Sequence, residues 1–122
     1  MWFLPVNDPA ELPPALPPAP SGWAVAVVDD PAMAPRAFDL CSGCEVKVIA
    51  GAAAIDIPTD GWSVVIGAPA FVERALRWVM RMPDGTARFV VVPGALSVVQ
   101  LLPGRAILVH LNQAHALDVP RM

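Results

Sequence analysis

The chain has 122 residues, 56% hydrophobic and 16% charged, with a formal charge of −3 and a mean hydropathy of +0.55. That length suits one domain, because two would each be too small to bury an adequate core. An average soluble domain is about 25% charged, so part of this surface is expected to be apolar or covered by a partner, and the acidic balance excludes a protein that grips nucleic acid by its phosphates.

Residues 5–20 hold seven prolines, Pro5, Pro9, Pro13, Pro14, Pro17, Pro18 and Pro20, a density that forbids a helix interior or a central strand. Residues 1–22 therefore read as an extended polyproline-type arm ahead of a single globular domain, 23–122. The arm carries Trp2, Phe3 and Leu4 at its tip and Leu12 and Leu16 farther along. A purely solvating tail has little use for such side chains, so they are expected either to pack along their own domain or to bind a protein partner. The first five residues lack the basic region of a secretory signal, which leaves the cytoplasm as the expected compartment and makes Cys41 and Cys44 reduced thiols or metal ligands.

From Trp23 the chain alternates apolar runs with turn signals. Residues 23–28 form an apolar run ended by Asp29-Asp30-Pro31, as expected of a buried strand. Residues 32–40 read as loop. Residues 45–49 alternate like a strand, and 53–57 are a second strand candidate stopped by Pro58 and Asp60-Gly61. Residues 62–66 are a strand, and Pro69 then opens a helix over 70–82, since proline suits a first helical turn. On that helix Glu73, Arg74, Arg77 and Arg81 share one arc and leave Phe71, Ala75, Leu76, Val79 and Met82 for burial. A rival reading pairs the alternation of Leu76, Trp78, Met80 and Met82 with a hairpin turn at 83–85 and a strand over 87–92. Residues 95–102 suit a short helix or a strand, and 105–111 a strand. The longest uncharged run, 89–104, is cut by Pro93 and Pro103 and falls short of the roughly 20 residues of a spanning helix, so no transmembrane segment is expected. The fold class expected is α/β: a small mixed or parallel sheet with one main helix. An all-β sandwich is the alternative.

Two cysteines and two histidines are the strongest chemical candidates. Cys41-Ser42-Gly43-Cys44 with His110 and His115 would complete a tetrahedral zinc set, although the intervening stretch is far longer than in a zinc finger. A redox role for the same pair needs a helix N-terminus, and the residues after Cys44 are strand-like. The run Phe38-Asp39-Leu40-Cys41-Ser42-Gly43 resembles the glycine-loop motif of class I methyltransferases, 54–57 resembles their later acidic position at Asp56, and 81–85 ahead of 89–92 is similar to their late helix, turn and strand. Glu45 stands where that loop has a further glycine, and Asp39 and Asp56 are too close for strand, helix and strand. The resemblance therefore implies a shared α/β grammar and no cofactor site. Ser21, Ser42, Ser63 and Ser97 lack a nucleophile elbow, Asp29-Asp30 before a proline reads as a solvated turn, and Arg74, Arg77 and Arg81 read as a solvated face able to meet an anion. These readings favour a non-catalytic interaction or structural protein, one subunit of a larger assembly such as a multi-subunit complex or a virus particle. It would dock on a protein partner or on copies of itself through its apolar surface and the arm residues Trp2, Phe3, Leu4, Leu12 and Leu16. A zinc protein using Cys41, Cys44, His110 and His115 is the second reading. A small α/β enzyme is the third, marked by a deep pocket with convergent polar groups.

Overall fold

Consecutive strand residues point to opposite faces of a sheet, and in this chain both sets are apolar. Strands β1 (Trp2–Pro5), β2 (Trp23–Val28), β3 (Glu45–Val48), β4 (Trp62–Gly67), β5 (Leu96–Leu102) and β6 (Arg105–Gln113) form one mixed sheet in the order β3-β2-β4-β1-β5-β6, accompanied by helices α1 (Ala34–Leu40) and α2 (Pro69–Val79). This computed structural model describes residues 1–14, 16–17, 19, 21–50, 54–58, 60–82 and 91–113. Phe3, Val25, Val27, Val65 and Val99 bury on one face beneath Phe71, Val72, Leu76 and Val79 of α2. Leu4, Ala26, Val28, Val64 and Ile66 bury on the other with Ala37 and Leu40 of α1. Strands covered on both faces read as continuous apolar runs, which is the pattern of 23–28 and 62–67.

Four strands, β3, β2, β4 and β1, run parallel. The last two reverse: β5 is antiparallel to β1 and β6 to β5. Of the mixed or parallel sheet expected, the sheet is the mixed one. The reason is local, because Leu102 pairs with Arg105 across Pro103-Gly104, with Gly104 at φ +78°, and a two-residue turn can only join antiparallel strands.

The described residues of the proline-rich segment do not extend away from the domain. Phe3 and Leu4 are 0% and 2% exposed, and β1 lies between β4 and β5. Residues 6–22 then cross from β1 to β2, a connection between parallel strands that is usually helical. Prolines exclude a long helix here, so the crossover consists of one 3₁₀ turn, Pro9–Glu11, capped by Asp8 Oδ1 accepting from Ala10 N–H at 2.9 Å, and a strip laid over the sheet. Leu12 and Leu16 are buried with the α1-side core. The Trp23 indole N–H donates to the Pro17 carbonyl at 3.1 Å, and Arg36 donates to that of Pro13 at 3.1 Å. The strip does the work of a crossover helix in covering one face of the sheet.

The helix expected over 70–82 is α2, Pro69–Val79. A second helix, α1, replaces the loop expected over 32–40. Pro31 and Pro35 both occupy first helical turns, where a missing donor costs nothing. Asp30 accepts from Ala32 N–H at 2.9 Å and starts the 3₁₀ turn Pro31–Met33; Met33, Ala37 and Leu40, at helical spacing, are buried. Residues 54–58 form no strand. Residue 53, the hairpin turn at 83–85 and most of the strand expected over 87–92 lie outside the described residues. Among the described residues no helix is long and apolar enough to cross a membrane.

Candidate functional site

In an open α/β sheet, ligands bind at the carboxyl ends of adjacent strands whose onward connections leave toward opposite faces. Here those strands are β2 and β4: α1 follows β2 onto one face and α2 follows β4 onto the other. The crevice between them holds the chain's own carboxylate. Asp29, just after β2, accepts from Ala68 N–H at 3.0 Å through Oδ2, at the N-terminus of α2, where an anion is favoured by the helix dipole. Gly67 makes the approach possible, since a Cβ there would lie 2.7 Å from Asp29 Cγ and Oδ1 and from the Phe71 ring. Of Asp29 and Asp30, which read as a solvated turn, Asp30 caps the 3₁₀ turn Pro31–Met33 and Asp29 holds the residue ahead of α2. A phosphate at this crevice would have to displace Asp29.

The two cysteines lie together, away from His110. Cys41 ends α1, Ser42 and Gly43 turn the chain at φ +58° and +90°, and Cys44 precedes β3. Both are free and buried. Burial pushes the Cys41 thiol pKa well above the ordinary cysteine range, and the neighbouring Cys44 adds to the shift through a hydrogen bond and charge repulsion. A reactive or metal-binding cysteine needs the opposite shift, toward thiolate. His110 is on β6, and β3 and β6 are opposite edges of the six-stranded sheet, about 24 Å apart at the usual strand spacing. His115 lies outside the described residues. Among the described residues no three His, Cys, Asp or Glu side chains group as a metal site. The segment resembling a methyltransferase glycine loop is the end of α1 and its turn into β3, where that family has a strand leading into a helix.

Ser63 is buried on β4, with no hydrogen-bond partner for its hydroxyl, and Ser97 Oγ accepts from Asn112 N–H at 3.1 Å. Arg74 and Arg77 are engaged on α2, whereas Arg81 leaves the row in a left-handed conformation, φ +55°. Trp2, Trp23 and Trp62, at the amino ends of β1, β2 and β4, meet edge to face with centroids 5.2 and 6.0 Å apart.

Of the five arm residues expected at a partner interface, Phe3, Leu4, Leu12 and Leu16 are buried in their own domain and Trp2 packs partly buried beside them. The exposed apolar side chains lie elsewhere. Ile107, Val109 and Leu111 on β6 are 38, 46 and 41% exposed, on a nine-residue strand at the end of the sheet. Residues 105–111 read as a strand; that it would be an edge was not legible. The two edges differ in charge: β3 has four residues and carries Glu45 and Lys47, while β6 has no charged residue after Arg105. No family model, curated protein or solved structure matches this chain.

Proposed function

We propose that this chain is a non-catalytic interaction protein whose docking surface is β6, an edge of its sheet among the described residues, and that the partner it fits is a second copy of itself. The observation that carries this is the neutrality of β6 together with its exposed Ile107, Val109 and Leu111. Exposed edges are ordinarily blunted by brevity, charge or lysine; β3 has both short length and charge, while β6 presents nine residues with a single charge at their start. An antiparallel pair of β6 strands would set each Arg105 against an uncharged residue, whereas a parallel pair would stack the two arginines. The antiparallel arrangement is also the self-complementary one that a two-fold dimer requires. The bulges of β6 beyond Leu108 place the regular part of such a pairing over 105–108. The apolar composition of the chain supports a covered surface as well.

Sedimentation velocity of the full chain across a wide concentration range tests this, with Ile107→Lys as the comparison, since Ile107 is exposed and paired with Gln100 on β5. The parent chain is expected to dimerise and the Lys variant to remain monomeric. A parent that stays monomeric at every concentration, or a variant that associates equally well, overturns the reading.

A further inference from the structure

We infer that Cys41 and Cys44 are an oxidation site, a dithiol that a low-molecular-weight disulfide such as glutathione disulfide closes into a bridge between the end of α1 and the start of β3. Positive φ at both residues between them, +58° at Ser42 and +90° at Gly43, is the signature of a type I′ turn, whose first and fourth Cα lie within about 7 Å. Disulfides span Cα separations of about 4.4–6.8 Å. The two side chains enter the same core cluster, with Val28 and Leu40, and their thiols share a hydrogen bond. The backbone holds this turn without help from sulfur. Cys41, Ser42 and Gly43 N–H donate to the carbonyls of Ala37, Asp39 and Phe38 at 3.1, 3.2 and 2.9 Å, and β3 pairs along its length with β2. Thiols preorganised from both sides meet at high effective concentration.

Ser42 and Gly43 are exposed, and of the two cysteines beneath them Cys44 is 9% exposed and Cys41 3%, so Cys44 meets the oxidant first. Its thiolate attacks one sulfur of the small disulfide R–S–S–R, forming a mixed disulfide and releasing RS⁻. Cys41 then loses its proton to solvent and attacks Cys44 Sγ, forming the bridge and expelling the second RS⁻. Two electrons pass from the pair to the small disulfide, which leaves as two thiols. Burial holds Cys41 protonated, which makes it a poor first nucleophile and leaves it the resolving partner. The same burial denies the reduced pair the thiolate stabilisation that makes some C-x-x-C pairs strong oxidants, and so favours the closed form.

The test equilibrates the full chain with mixtures of reduced glutathione and glutathione disulfide at mildly alkaline pH, without denaturant and again in concentrated urea, and reads acid-quenched samples by intact mass and peptide mapping. The folded chain is expected to lose two hydrogens and retain no glutathione. Its equilibrium constant for closure should exceed that of the unfolded chain at least about tenfold, because the fold has already removed the loop-closure entropy. By linkage the oxidised chain gains stability by the same factor, read as a higher urea midpoint than that of the reduced chain. Cys41→Ala, which lacks the resolving thiol, should keep one glutathione on Cys44. No mass change in the folded chain, glutathione adducts in place of a bridge, closure no more favourable than in urea, or a Cys41→Ala chain that takes up no glutathione would overturn the inference. The turn precedes β3, at the opposite edge of the sheet from β6, so this outcome is separable from that of β6 pairing.

Discussion

Replacing Phe3 by alanine separates a core strand from a docking arm. Phe3 is fully buried in the same core as Val65, Leu76 and Val99, on a strand hydrogen-bonded on both sides. A cavity there cannot close by local collapse without breaking two strand pairings, so the cost should fall in the usual range for buried Phe→Ala, about 3–5 kcal/mol. Domains of this size are stable by roughly 5–15 kcal/mol, which makes the loss a large fraction of the whole. With a urea dependence of about 2 kcal/mol per molar, the midpoint of urea unfolding should drop by roughly 2 M, with the slope unchanged. Tryptophan fluorescence reports the transition, since Trp2, Trp23 and Trp62 contact one another. If residues 1–5 were an arm for a partner, the same substitution would leave the isolated chain within about 0.5 kcal/mol of the parent. A midpoint that fails to move would refute the placement of β1 inside the sheet.

Gly67→Ala should destabilise by about 1–3 kcal/mol through overpacking against Asp29 and Phe71, and adding Asp29→Ala should lower that cost, which chemical denaturation of the single and double variants will measure as a coupling. Cys41 has a raised thiol pKa in the folded chain, caused first by burial and then by Cys44. Its contribution to stability is therefore complete below the unfolded cysteine value, about 8.5, and is lost as pH rises above it. Unfolding free energy followed from neutral to alkaline pH should decline, and Cys41→Ala should flatten that decline; an identical slope in the variant would exclude Cys41 as its source.

The contrast between the two halves of the sheet shows which features local pattern could reveal. Residues 23–28 are apolar throughout and 62–66 apolar but for Ser63, and both are flanked by turn residues, which is enough to place buried strands. Pro69 at the opening of α2 and the polar arc of Glu73, Arg74 and Arg77 are likewise local. For α1 the same chemistry was present but ambiguous, because a proline that breaks a helix and one that begins it are distinguished only by where the turn starts, here the 3₁₀ turn Pro31–Met33 that Asp30 caps ahead of α1.

Composition, the buried strands β2 and β4 and the amphipathic α2 follow from the sequence by itself, because each depends on side chains within a few residues of one another. Tertiary structure alone decided that Trp2–Pro5 pairs with residues some sixty and ninety positions away, that the proline-rich segment packs on its own sheet, and that Asp29 reaches across to α2. It also put the cysteines and His110 at opposite edges of the sheet. Each of these is a long-range pairing whose energy comes from burial shared between distant segments, and such sharing leaves no periodic trace in either segment read separately.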